Sequence, residues 1–217
     1  MKAIVTADII KSRRFTGSER LEVNKLIKSA FRKCCDLISE AEADKFSFNI
    51  VQGDEFQFLI NKPEYAYQFV VFFRLILAQS ELKPSFRAGI GIGEILNFGK
   101  KIYEMDGSAF HYSRDALEFF KKSDSDDRKT IIFTGSQLID EQLNLITLYN
   151  DFIEGNWTDK QREAIYLYKK HGSFKNAATR IDVTYQALQQ RIYGSGWKQM
   201  NVGFEQYHNL ITSKLKP

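Results

Sequence analysis

The stretch Phe46-Ser47-Phe48-Asn49-Ile50-Val51-Gln52-Gly53-Asp54-Glu55-Phe56-Gln57-Phe58-Leu59-Ile60 decides the fold. Phe46, Phe48 and Ile50 alternate with Ser47 and Asn49 before the turn, and Phe56, Phe58 and Ile60 alternate with Gln57 and Leu59 after it. Period-two alternation mirrored about Gly53-Asp54 specifies a β-hairpin with one face buried.

The chain on either side supplies the rest of the sheet. Upstream, residues 3–10 (Ala-Ile-Val-Thr-Ala-Asp-Ile-Ile) form a nearly continuous apolar run, as a strand covered on both faces requires. Val23, Leu26, Ile27, Ala30, Phe31, Cys34, Leu37 and Ile38 then recur at helical spacing behind Thr16-Gly17-Ser18, which can cap them. Downstream, Pro63 and Glu64 open a strongly apolar helix to about Ser80.

Residues 86–95 read as a strand with Phe86, Ala88, Ile90 and Ile92 on one face and Arg87, Gly89, Gly91 and Gly93 on the other. Three glycines on one face imply close approach by a helix, a ligand or another backbone. No helical pattern follows at once, so this is not a dinucleotide fingerprint. A helix over 108–121, a charged and solvated loop over 122–128, a strand over 130–133 and a helix over 136–149 complete this part. The order contains β-α-β-β-α-β, so residues 1–150 are expected to form an α+β, ferredoxin-like or palm domain with an antiparallel sheet and helices.

A right-handed crossover makes the first two strands parallel, which brings the end of strand one and the hairpin tip to the same end of the sheet. Asp8 and Asp54 are therefore expected as neighbours. Close carboxylates repel unless a proton or cation intervenes, and Mg²⁺ is commonly held by one or two carboxylates plus phosphate oxygens. Mg²⁺ or Mn²⁺ on Asp8 and Asp54, with Glu55 as a further ligand, fits that chemistry. The same residues also suit ordinary turn roles, Asp8 as a cap and Gly53-Asp54 as a hairpin turn.

Four stations resemble the nucleotidyl-cyclase superfamily, the class III cyclases and the GGDEF diguanylate cyclases. They are Thr6-Ala7-Asp8-Ile9, Gln52-Gly53-Asp54-Glu55-Phe56, Arg87-Ala88-Gly89-Ile90-Gly91-Ile92-Gly93-Glu94, and residues 107–117 with Arg114. The resemblance implies a metal on Asp8, Asp54 and the Ile9 carbonyl, a bound nucleotide beside Gly53 and Glu55, and Arg114 stabilising transition-state charge. Phe110 stands where the superfamily has an Asn, and Gln52 where a diguanylate cyclase has its first Gly; both departures favour sensing over turnover.

The charge is uneven. Residues 1–150 hold 21 Lys+Arg and 21 Asp+Glu, leaving 10 basic and 6 acidic residues for 151–217, so the whole net charge of +4 lies in the C-terminal third. That suggests an anionic partner, nucleic acid first, against a merely solvated basic surface. Thr158 to Gln161 forms a capping box opening a helix, Gly172 ends it, a short helix spans 173–181, and Thr184 caps a third.

This segment, about 157–195, resembles region 4 of bacterial sigma factors, a helix-turn-helix, and makes 151–217 a small all-α domain. The resemblance nominates Tyr185, Gln186, Gln189 and Gln190 as base readers and Lys175, Arg191 and Lys198 as phosphate contacts. A helical bundle used for protein contact is the alternative. One such domain binds DNA weakly, so a homodimer is expected.

Composition excludes other classes. With 43% hydrophobic and 27% charged residues the chain is neither disordered nor fibrous, and no apolar run approaches the ~20 residues of a bilayer span. No secretory pattern follows Met1, so a cytoplasmic location is expected. Adjacent Cys34 and Cys35 suit neither a framework disulfide nor a zinc site. The whole architecture, a cyclase-like palm followed by a helix-turn-helix, resembles the SatD family. The expected function is a DNA-binding regulator sensing a nucleotide with Mg²⁺; an active cyclase or nucleotidyltransferase, or a palm that serves only as a dimerisation scaffold, are the alternatives.

Overall fold

The first strand, β1 (Lys2–Ile9), is buried over most of its length because both its faces are covered. Its odd residues Ala3, Val5, Ala7 and Ile9 enter the main core beneath α1 (Gly17–Leu37), while Ile4 and Thr6 face the opposite layer. Thr16 and Glu19 close a capping box at the start of α1. The hairpin strands β2 (Ala43–Gln52) and β3 (Glu55–Ile60) follow, joined through Gly53, whose φ of 62° is one that only glycine adopts at little cost.

A single 3-10 turn at Pro63–Tyr65 leads into α2 (Ala66–Leu77), buried almost all round. Then come β4 (Phe86–Gly93), a short ribbon of β5 (Leu96–Asn97) and β6 (Met105–Asp106), α3 (Ser108–Lys122) and β7 (Thr130–Phe133). The computed structural model describes residues 1–97, 101–122 and 128–215; the loop expected over 122–128 lies outside them apart from its two ends.

The strands line up as β2-β3-β1-β4-β7, antiparallel throughout except for β4 and β7, which run parallel. The first four strands have the ferredoxin-like order, and the protein is α+β as expected. Seven phenylalanines, Phe31, Phe48, Phe56, Phe58, Phe69, Phe73 and Phe86, interlock between the sheet and α1/α2. On the other face, α3 lies along the glycine stripe. A Cβ at Gly91 would fall on Ala109 O and Ser113 N, and one at Gly89 on Ser113 O. The three glycines are thus explained by a helix rather than by a ligand.

The helix α4 (Gln137–Gly155) runs six residues past the end that the spacing suggested and covers the free edge of β7. Its side chains take the place of a neighbouring strand. Asn144 accepts from Ile132 N and donates to Ile132 O, both at 2.8 Å, Asp140 accepts from Thr134 N, and Asp151 accepts from Lys129 N and Thr130 N at 2.7 Å. An exposed row of strand amides is thereby satisfied.

Helices α5 (Asp159–His171) and α7 (Tyr185–Tyr193) start where the caps placed them, α6 (Phe174–Ala178) ends three residues short of the expected 181, and α8 (Trp197–Lys214) returns to the sheet domain. The expected division at 150/151 falls inside α4, and one core runs from Phe69 and Phe72 through Trp157 and Trp197 to Tyr207 and Ile211. Arg74 of α2 is enclosed there. Its guanidinium donates to both Glu154 oxygens at 2.7 to 3.1 Å and to Asp151 at 3.1 Å, and all three side chains are at most 2% exposed.

Candidate functional site

The site is built at the end of the sheet where β1 finishes. Ile9 N–H donates to Asp54 O at 3.2 Å, so the end of β1 and the hairpin tip meet, as the crossover argument requires. In the ladder, however, the residue directly opposite Asp8 is Glu55 on β3, with Arg87 opposite on β4. Directly paired side chains share a face. Asp8, Glu55 and Arg87 therefore belong to the α3 face, together with Thr6 and Gln57.

That face is polar and ordered beneath the acids. Gln57 donates to Thr6 Oγ1 at 2.9 Å, Thr6 and Ser113 hydroxyls lie 2.9 Å apart, and Ser113 donates to Phe110 O at 2.9 Å. The relay ties β3 and β1 to α3 and so fixes Arg114, the next residue of the helix. Arg114 Nη2 stands 3.5 Å from Glu55 Oε1, its side chain 54% exposed against 20% for Glu55. Glu55 Oε1 is itself covered and accepts no hydrogen bond from the described residues. Phe110 points elsewhere, packing beside Ile4, Leu59 and Ile102. His111 is exposed, 3.7 Å from Asp106.

Asp54 and Gly53 line a cavity of about 410 Å³ on the α1 side of the hairpin, together with Ile9, Arg13, Arg20 and Asn24. Of these, Arg13 and Arg20 escape a reading based on alternation and glycine turns. Their signal is a basic Ser12-Arg13-Arg14 run immediately after a buried strand, followed by Arg20 in the first turns of α1. The structure thus gathers the expected Asp8, Ile9, Gly53, Asp54, Glu55 and Arg114 at one end, with Asp8 and Glu55 on one face and Asp54 at the rim beside a cationic cavity.

Among the described residues no three His, Cys, Asp or Glu side chains converge to hold a metal unaided. Mg²⁺ dehydrates reluctantly and is usually held by only one or two carboxylates plus phosphate oxygens, so an ion shared by Asp8 on the α3 face and Asp54 at the α1-side cavity would have to sit at the very end of β1. The cation that Glu55 Oε1 meets among the described residues is the Arg114 guanidinium, 3.5 Å away.

The second group of expected residues lies on α6, α7 and the start of α8. Thr184 Oγ1 accepts from Ala187 N at 3.2 Å, a cap without the reciprocal side chain. Leu188 and Ile192 turn inward, leaving Tyr185, Gln186 and Gln190 outward, with Gln189 and Arg191 half-buried and Lys175 and Lys198 exposed. Gln189 donates to Tyr193 OH at 3.2 Å, and Tyr185 and Tyr193 both stand edge-on to Phe174. Tyr185, Gln186, Gln189, Gln190 and Tyr193 share one side of α7.

A solved structure described as a bacterial light-regulated adenylyl cyclase is similar at 16% identity, over 72% of this chain and 80% of that one, with a TM-score of 0.37, a likeness too loose to bear on the site. No curated protein matches. Among the described residues no helix is long and apolar enough to cross a membrane. The SatD family profile matches residues 2–211, nearly the whole chain, and the protein therefore belongs to the SatD family.

Proposed function

We propose that the protein is a DNA-binding regulator whose sheet domain binds a nucleotide together with Mg²⁺ as its signal. The observation that carries this is the meeting of β1 with the hairpin tip, Ile9 N to Asp54 O at 3.2 Å, which brings Asp8 and Glu55 on the α3 face to the same end of the sheet as Asp54, itself lining the cationic cavity on the α1 side. Asp8, Asp54 and the Ile9 carbonyl would hold the ion, and Arg13 and Arg20 would offset phosphate charge. Bound there, the metal would neutralise the phosphates. The outward face of α7 would enter the major groove, Gln186 and Gln190 facing base edges and Lys175 and Lys198 the backbone.

A second reading, an active cyclase or nucleotidyltransferase, is favoured by the approach of Arg114 to Glu55. There Arg114 would stabilise charge developing on phosphate. Incubation with each nucleoside triphosphate and Mg²⁺ or Mn²⁺, with products resolved by mass, separates the two. Intact nucleotide supports sensing; a cyclised or transferred product lost in Asp8→Ala makes the protein an enzyme.

A further inference from the structure

Two faces of α4 have partners within the chain, and the third has none among the described residues. Asp140, Asn144, Thr147 and Asp151 serve the edge of β7. Ile139, Leu143, Ile146 and Ile153 join the main core, and Asn150 donates to Met200 O on α8. The remaining face carries Leu138, Leu145, Leu148, Tyr149 and Phe152, which are 67, 54, 42, 65 and 72% exposed. At about 100° per residue, Leu138, Leu145, Tyr149 and Phe152 fall within one narrow stripe. Single exposed apolar residues are ordinary, whereas a continuous stripe marks a contact surface.

We propose that this stripe is a homodimer interface in which α4 packs antiparallel against α4 of a second copy, with the two-fold axis at Leu145. The area fits. Five such side chains, part-exposed, offer roughly 600 Å² of apolar surface, close to the ~800 Å² per partner of a stable interface once flanking residues are added. The surface is also complementary to itself, as an isologous contact must be. About an axis at Leu145, Leu138 meets Phe152 of the second copy, and Glu141 meets its Tyr149, whose hydroxyl donates to the carboxylate.

Charge selects the direction. The stretch 137–155 has no Lys or Arg, so parallel pairing would set Glu141 against Glu141 without a counter-charge. Antiparallel pairing separates the two by about 12 Å along the helix. The interface goes beyond the nucleotide and DNA functions and does not rest on either.

Sedimentation of the full chain between ~1 and ~100 μM tests it, a range that brackets micromolar association. The expected result is the mass of two chains, with Leu145→Glu weakening association about 100-fold or more by burying a charge at the axis. The far-UV spectrum and thermal midpoint of the variant should match those of a wild-type monomer. A wild-type chain that stays monomeric at ~100 μM, or a dimer indifferent to Leu145→Glu, overturns the proposal. Cross-linking supplies an independent check, since Cys34 and Cys35 are buried. Leu145→Cys should cross-link to itself, and Leu138→Cys should join Phe152→Cys when the two variants are mixed. Self-cross-linking of Leu138→Cys would refute the antiparallel arrangement.

Discussion

Asp8 faces Glu55 across one side of β1 and Arg87 across the other. An acid flanked by one like and one opposite charge gains little net stability from either, since each cross-strand pair is worth only a few tenths to about 1 kcal/mol. Asp8→Asn should lower Mg²⁺-dependent nucleotide affinity at least about tenfold, beyond any change in unfolding free energy. Thermal unfolding and fluorescence titration read the two quantities separately. A large loss of stability would assign Asp8 a structural role.

Gly91 is constrained by the backbone of α3. Gly91→Ala forces a methyl onto Ala109 O and Ser113 N, neither of which can rotate away. A cost of about 3 kcal/mol or more is expected, seen as a lower urea midpoint with an unchanged slope. A near-neutral result would mean that α3 does not lie where the glycine stripe places it.

The enclosed cluster on α2 and α4 should respond strongly to both mutation and pH. Arg74→Met removes the cation that Asp151 and Glu154 share, leaving Glu154 only Lys129 at 3.6 Å, and should cost about 3–5 kcal/mol. Burial pushes the Asp151 carboxyl up from its ordinary 3.8 to about 6, whereas Arg74 and Lys129 hold Glu154 below its ordinary 4.5. Between pH 6 and 4 the folded state then binds more protons at Asp151 than the unfolded chain does, so this group favours folding as pH falls. Glu154 acts the other way, and its contribution is lost below about 4.5. Thermal midpoints should hold or rise from pH 7 to 5 and drop steeply below pH 4.5, and Asp151→Asn should remove the first segment alone.

On α7 and its flanks, the polar face should separate affinity from specificity. Lys175→Ala or Lys198→Ala should reduce the salt slope of DNA binding by about one, uniformly across sequences. Gln186→Ala should instead relax preference at one base pair by about 1–3 kcal/mol. Gel shifts at several salt concentrations distinguish the two patterns, and binding independent of salt would remove DNA as the partner.

The sheet was legible because its signals are local. Phe56, Phe58 and Ile60 alternate in sequence as they do in space, Thr16, Thr158 and Thr184 announce their helices, and Gly53 marks its own turn. What escaped depends on partners distant in the chain. Trp197, Met200, Phe204, Tyr207 and Ile211 recur at helical spacing, yet no side-chain cap announces α8 and its inner face makes sense only against Tyr67 and Pro63. Likewise, Asp151 and Glu154 look like solvated acids until Arg74 is brought beside them. In the site, the crossover brought Asp8 and Asp54 to one end, but the register that sets Asp8 opposite Glu55 depends on how β1 and β3 pair, which alternation alone does not reveal.

The most direct trial of a nucleotide at the carboxylate end of the sheet is calorimetric titration of the full chain with ATP and GTP, each with and without Mg²⁺, beside the Asp8→Ala variant. One of the two nucleotides should bind at a single site, require the cation, and lose its heat signal in Asp8→Ala. Silence from both at millimolar Mg²⁺, or equal binding by the variant, would contradict a metal–nucleotide site on Asp8 and leave the sheet domain as a scaffold.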